Sequence, residues 1–348
     1  MAVLTFAALS ARALPAKPVA AKPRVINETQ ALSFIDQHGG SWVNDHNCVS
    51  CHSAWSYGMG RIGTAGWQNS MVPKIESYSK MRLADWENIR PWYGSQGDAK
   101  GSEALGSEAI LAASLLTEID IARGQSASNA TYQAVSRMLE LQNSDGAISW
   151  LNFSLQPLES TTARIFGASL ARIALSRSKL DAKYEFTSGA TSLNLFLARA
   201  AKDQTVYLYY KAMIAWAAAE SPGMLSRQDV STLVQLLLAK QNADGGWSMN
   251  HLGNWKKTGN FKWSGDSSSD ANATAPLLLA LSRVDAAYAA GGEIPGLKNG
   301  ILRARSWLVA NQNANGSWSG VSLNIDDDEN HGFMSDFATG LALRAMRQ

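Results

Sequence analysis

Apolar and polar positions along the chain follow a helical period, and no segment alternates convincingly as a strand would. Three apolar-periodic stretches end in closely similar polar turns. These are "QNSDGAISW" from Gln142, "QNADGGW" from Gln241 and "QNANGSW" from Gln312. Each turn carries a glycine suited to ending a helix. Each is followed by a loop and a second helix rich in small residues: "STTARIFGASLARIAL" (160–175), "SDANATAPLLLALSRV" (269–284) and "SDFATGLALRAM" (335–346). These second helices open on Ser-Thr or Ser-Asp, which are N-cap residues, so Asp270 and Asp336 are expected to be caps. Their Ala and Gly content suits helices packed on several sides.

Three further pairs keep the rhythm without the full turn motif. "ETQALSFIDQHGGSWV" leads into "NCVSCHSAWSYGMG", "SKMRLADWENIRPWYG" into "GSEALGSEAILAASLLTEI", and "TSLNLFLARAAK" into "TVYLYYKAMIAWAAAE". Six pairs at a period of about 50 residues predict a helical repeat array. Six are enough to close a ring, with one helix of each pair inside and one outside.

The turn motifs carry a family resemblance. Gln241 to Trp247, and Trp307-Leu308 followed by Gln312, Gly316 and Trp318, resemble the QW motif of squalene-hopene cyclases and related toroids. The stretch at Gln142 is looser, with Trp150 displaced. The resemblance spans roughly residues 28–348 and implies an all-α, single (α/α)6 toroid. It is also the fold of terpene cyclase domains and of protein prenyltransferase β-subunits. "SWVNDHNCVSCHS" is similar to a bacterial branch of such proteins with a CxxCH segment near the N-terminus.

Departures from the catalytic families bear on function. Squalene-hopene cyclases have two toroids and an Asp-x-Asp-Asp acid motif. This chain has length for one toroid, and its nearest match, Asn324-Ile325-Asp326-Asp327-Asp328-Glu329, lacks the first Asp. Prenyltransferases need an Asp/Cys/His zinc set, but both cysteines here lie in one short segment. Fold alone does not supply an activity.

Composition narrows the chemistry. Of 348 residues, 46% are hydrophobic and the net charge is +2, which does not indicate a general nucleic-acid surface. No run approaches the ~18 apolar residues of a transmembrane helix. Residues 1–27 read as a leader-like apolar segment and a Pro/Ala/Lys linker, which predicts a periplasmic or otherwise exported protein, although the basic start of a leader is missing.

The two cysteines, Cys48 and Cys51, are followed directly by His52 within residues 47–52. Three apart on a helix, the thiols share a face, and the histidine can turn toward a planar ligand they hold. This is the c-type haem attachment pattern, with two thioethers and an imidazole on iron. It fits export, since haem c is attached outside the bacterial cytoplasm. A Cys-x-x-Cys disulfide and a zinc half-site are the alternatives. The disulfide leaves His52 unexplained, and zinc would need four ligands from a chain with only four other histidines.

An iron held by His52 leaves a distal position. Candidate ligands are Met59, Met71, Met81, Met249, His251, His331 and Met334, with Met249 and His251 first because of their loop. In a ring, the inner helices all begin at one end. That mouth should gather the CxxCH segment, Glu103, Glu108, Glu159, Asp270 and Asp336. It should also gather loop 247–266, with Trp247, Trp255, Phe261, Trp263, Lys256 and Lys257, and the acidic loop 326–329. The loop reads as a cover for haem or an apolar ligand, or as a face for a partner protein.

The expected function is haem-based redox chemistry or electron transfer at the barrel mouth, on an apolar, isoprenoid-type ligand if the resemblance extends to substrate. The alternative is a non-redox terpene cyclase or isomerase, in which Asp270, Asp336 or Asp327 protonates an alkene from a dry site.

Overall fold

The computed structural model describes residues 25–39, 53–88, 98–256, 266–320, 322–324 and 332–348. Twelve α-helices form among them, and no strand. In chain order they are α1 (Glu28–His38), α2 (Ala54–Arg61), α3 (Val72–Ala84), α4 (Asp98–Ala122), α5 (Asn129–Glu140) and α6 (Arg164–Arg177). They continue as α7 (Tyr184–Lys202), α8 (Leu208–Glu220), α9 (Arg227–Leu238), α10 (Ala271–Tyr288), α11 (Leu297–Ala310) and α12 (Phe333–Met346).

Even-numbered helices form the inner ring. α2 packs on α4, α4 on α6, α6 on α8, α8 on α10, α10 on α12, and α12 returns to α2. The odd-numbered helices lie outside. The protein is therefore an (α/α)6 toroid, closed as the repeat count predicts. Inner helices α8, α10 and α12 are buried almost all round. Outer helices α5, α7 and α9 bury one stripe each, as an amphipathic helix on a core does.

The Gln-Asn turn works as a bracket between successive outer helices. Gln241 donates from its amide to the carbonyl of Gly245 (2.7 Å) and to that of Gly300 in α11 (2.8 Å). Gln142 does the same to Gly146 and to Gly189 in α7. Gln312 donates to Gly316 and to the carbonyl of Asn27, and accepts the Asn27 N–H at 2.7 Å. This last bracket ties the sixth repeat to the first. The glycines cannot be replaced cheaply. Gly316 has φ +90°, and a Cβ there would lie 2.3 Å from the backbone of Gln30.

Trp247 and Trp318 donate their indole N–H groups to the last turns of their own outer helices, at Leu237 and Leu308, both 2.8 Å. Trp247 is thus a fully buried part of the bracket and not part of a cover over the mouth, because its N–H needs a buried acceptor. In the looser motif Ile148 takes the equivalent place. Trp150 turns toward the axis, where it meets Phe166 edge-on at 5.8 Å between centroids.

The seam between α12 and α2 is made by glycine. A Cβ on Gly340 would lie 2.2 Å from the Ser56 carbonyl oxygen, and one on Gly60 would lie 2.8 Å from Gly340. Backbone meets backbone where the ring closes.

Candidate functional site

The two ends of the ring differ in chemistry. At the C-terminal ends of the inner helices lies a buried ion network. Glu118 of α4 accepts from Arg177 of α6 at 2.5 and 3.1 Å, and from Arg344 of α12. Glu220 of α8 accepts from Arg283 of α10 at 2.6 Å and lies 3.5 Å from Arg177. Burial pushes the Glu118 carboxyl up. Arg344, Arg177 and Arg283 outweigh that and hold it below the usual carboxylate range. Five inner helices are tied by these groups.

The opposite end holds the first turns of the inner helices. Just inside it lies an aromatic plug. Trp55 of α2 stands 6.0 Å from Phe166 of α6 and 6.3 Å from Phe337 of α12, between ring centroids. The Trp55 indole N–H donates to Ser114 of α4 at 3.0 Å. All four are buried, so at this level side chains fill the barrel axis.

Above the plug, loops converge on Gln156 and Pro157. The Gln156 side-chain oxygen accepts the Lys256 N–H at 2.7 Å, and its carbonyl accepts from the Asn324 amide. The Pro157 carbonyl accepts from the Tyr210 hydroxyl at 2.7 Å. Loops before α6, α10 and α12, and the first turn of α8, thus meet at one point over the mouth. Trp255 is buried here among Tyr207, Tyr209 and Tyr210, with its indole N–H donated to the Met249 carbonyl at 2.6 Å.

Asp270 is the N-cap of α10 as expected. One carboxylate oxygen accepts the Ala273 N–H at 2.9 Å, and the other accepts the Met249 N–H at 2.7 Å. Burial pushes this carboxyl up to about 7, against the N–H donors of Met249, Ala273 and Asn272 that favour its charged form. It is both a cap and an anchor for the loop that precedes its helix.

Asp336 is not a cap. α12 starts at Phe333 after Gly332 (φ +73°), which places Asp336, buried, in the first turn. The left-handed Gly332 lets the helix begin earlier than the Ser-Asp pair suggests. Ser160 precedes a short 3-10 turn and gives no side-chain cap bond.

Two other carboxylates do not join a mouth ring. Glu108 is buried against Arg82 of α3 at 2.6 and 2.8 Å, linking outer to inner helix. Glu103 pairs with Lys100 and accepts the Asn152 N–H at 3.1 Å.

Met249 and His251 share one 3-10 turn but part company. Met249 is buried in the core under Asp270, while His251 lines a groove beside α7 and α9. Met59 is buried in α2, Met71 stands at the start of α3, Met81 is exposed and Met334 is half-buried in the first turn of α12. Cys48, Cys51, His52, Asp327, His331, Lys257, Phe261 and Trp263 lie outside the described residues. The described chain resumes at Ser53, directly after His52, and Ser53 opens α2.

No family model and no curated relative matches the chain. Solved structures do. A polysaccharide lyase is 13% identical, with 92% of this chain and 96% of that one covered at TM-score 0.54. The type II terpene cyclase MstE from Scytonema is 17% identical over the same shares, also at 0.54. A possible member of the GH105 family from Klebsiella pneumoniae is 12% identical, covering 97% and 98%, at 0.54. The fold is that of these enzymes. At such identities the likeness extends to the toroid and stops there.

Sequence reasoning missed the ion network, the Gln156 junction and the displaced Trp150 as part of the plug. One signal was present for the first. Each inner helix carries Arg or Glu near its end: Arg61, Glu118, Arg177, Glu220, Arg283 and Arg344. No helix in the described residues is long and apolar enough to cross a membrane.

Proposed function

We propose that this chain carries haem c on Cys48 and Cys51, with His52 as an iron ligand, and uses it for redox chemistry or electron transfer at the mouth of the toroid. The observation that supports this reading is Cys48-Val49-Ser50-Cys51-His52 running directly into Ser53, which opens an inner helix whose second residue, Trp55, is part of the plug. Two thiols and an imidazole at this spacing are the donor set of such a haem. The packed axis below argues that the group belongs at the mouth and not inside the barrel. When bound, it supplies one-electron chemistry at iron.

The chain's own residues have separate tasks. Trp55, Phe166 and Phe337 exclude water beneath the mouth. The Gln156 junction fixes the loops above it. Asp270 holds a proton close to neutral pH beside Met249. An apolar ligand is suggested by a neighbour, a terpene cyclase variant in complex with geranylgeranyl dihydroxybenzoate. Export, a redox partner protein and a distal ligand from Met249 or His251 belong to the same proposal. The test is the intact mass of the full chain made in a host that matures haem c. Wild type should carry the mass of one haem and C48A/C51A none. Folded, exported wild type without that mass would end this reading.

A second reading is non-redox acid chemistry, and the named neighbours, a cyclase, a lyase and a glycoside-active family, lie closer to it than to redox chemistry. Its specific support is the buried Asp270 carboxyl, held near neutrality as a proton donor must be. Against it, both Asp270 oxygens already accept backbone N–H groups. Conversion of a polyprenyl substrate by C48A/C51A, abolished by adding D270N, would favour this reading. Conversion unchanged by D270N would remove Asp270 from it.

A further inference from the structure

A second cavity lies on the outer wall of the ring, bordering the loops over the mouth at Trp255 and Tyr207. A groove of about 900 Å3 runs between α7 and α9, floored by the start of α8 and rimmed by residues 250–255. That volume is in the range of small-molecule sites. Its floor holds Lys211, only 6% exposed. A lysine ammonium is rarely buried without a partner, because removing it from water is costly. Here its ammonium has no hydrogen bond or ion pair among the described residues.

The nearby carboxylates, Asp203 and the groove-lining Asp229, make their hydrogen bonds to groups other than Lys211. Asp203 accepts the N–H and the hydroxyl of Thr205, both at 2.8 Å. The Asp229 carboxylate accepts from the Ser226 hydroxyl at 2.7 Å and lies 3.6 Å from Lys202, while the Asp229 backbone N–H donates to that hydroxyl oxygen at 3.1 Å. Desolvation holds the Lys211 ammonium below its ordinary range, and the charge of Asp203 offsets only part of that effect.

The walls indicate what would compensate it. Leu233, Leu236, Leu252 and Trp255 supply an apolar surface, while Asn250 and His251 supply hydrogen-bonding groups at the rim. Lys202 and Lys211 against Asp229 leave the lining with one net positive charge, which asks for one negative charge. Apolar walls ask for an organic body on that charge and disfavour a bare, fully hydrated anion. We propose that this groove binds a small organic carboxylate with an apolar or aromatic body, its carboxylate on Lys211. The groove shares Tyr207 and Trp255 with the loops over the mouth, while its cation, Lys211, takes no part in the haem proposal.

The experiment is calorimetric titration of the full chain with benzoate, its neutral isostere benzamide and inorganic phosphate. Benzoate should bind wild type at least about tenfold more tightly than benzamide, and phosphate should not displace it. K211M should weaken benzoate at least about tenfold while melting at the same or a higher temperature, because an apolar isostere replaces an unpaired buried charge. A second measurement uses wild type alone: benzoate should protect Lys211 from amine acylation, followed by peptide mass. Equal benzoate affinity in wild type and K211M would overturn the proposal. So would displacement by phosphate, absence of binding at millimolar benzoate, or acylation of Lys211 at the same rate with and without benzoate.

Discussion

Replacing Glu118 with glutamine removes the charge at the centre of the network that ties the inner helices at one end of the ring. Glu118 is 4% exposed and accepts from Arg177 and Arg344, on the two inner helices α6 and α12. Removing one partner of a buried pair costs about 3–5 kcal/mol, because the other is left charged and uncompensated. Here the lower end applies. Arg177 keeps a 3.5 Å contact with Glu220, and glutamine still accepts one hydrogen bond. An unfolding entropy of about 2.1 cal/mol/K per residue over 348 residues converts a loss of about 3 kcal/mol to a fall in Tm of about 4 °C. The assay is urea unfolding at pH 7, in a double-mutant cycle with R344M. The two substitutions should be strongly non-additive. The Glu118 carboxyl is held below its unfolded value, so its stabilisation is present above the usual carboxylate range and is lost as pH falls through the folded value. The gap between wild type and E118Q should therefore close in acid. A loss below about 1 kcal/mol, or additive effects with R344M, would refute the claim that this network fastens the inner helices.

Other outcomes follow from the brackets and the mouth. Q312A removes the three hydrogen bonds that tie the last repeat to Asn27 and to its own turn. It should cost about 2 kcal/mol and speed amide exchange in α1, and unchanged exchange in residues 28–38 would count against the bracket. Asp270 carries the opposite pH signature to Glu118. Its folded value of about 7 lies above the unfolded one, so its contribution is full below the unfolded value and fades as pH rises toward 7. Between pH 5 and 8 the stability of wild type relative to D270N should fall by about 2–3 kcal/mol in urea titrations, and parallel profiles would show that Asp270 does not titrate there.

Much of the fold was legible because the brackets are local in sequence. Gln, Asn, Asp or Asn, and Gly recur at fixed offsets, and each does one geometric task within a single turn. The Asn N–H closes the turn on the carbonyl before the Trp position in all three motifs. Glycine gives the positive φ and the close approach to the next outer helix. The ion network was not legible as a network, because its partners lie 59 and 226 residues apart and only ring closure brings them together. The same limit applied at the mouth. Asp270 could be read as a cap from its neighbours in sequence. Asp336, in a similar Ser-Asp pair, could not be separated from it without knowing that Gly332 starts the helix. Glu108 looked like a mouth carboxylate until Arg82, on the preceding outer helix, was found to neutralise it. Met249 and His251 are two residues apart, yet a 3-10 turn sends one into the core and the other to the outer groove.

The central claim is that the segment leading into α2 holds a covalent haem. The most direct measurement is the pyridine haemochrome spectrum of the full chain, purified under denaturing conditions from a host that matures haem c. The account predicts a c-type spectrum with one haem per chain in wild type, lost in C48A/C51A. Folded wild-type protein with no covalent haem in that host would contradict it.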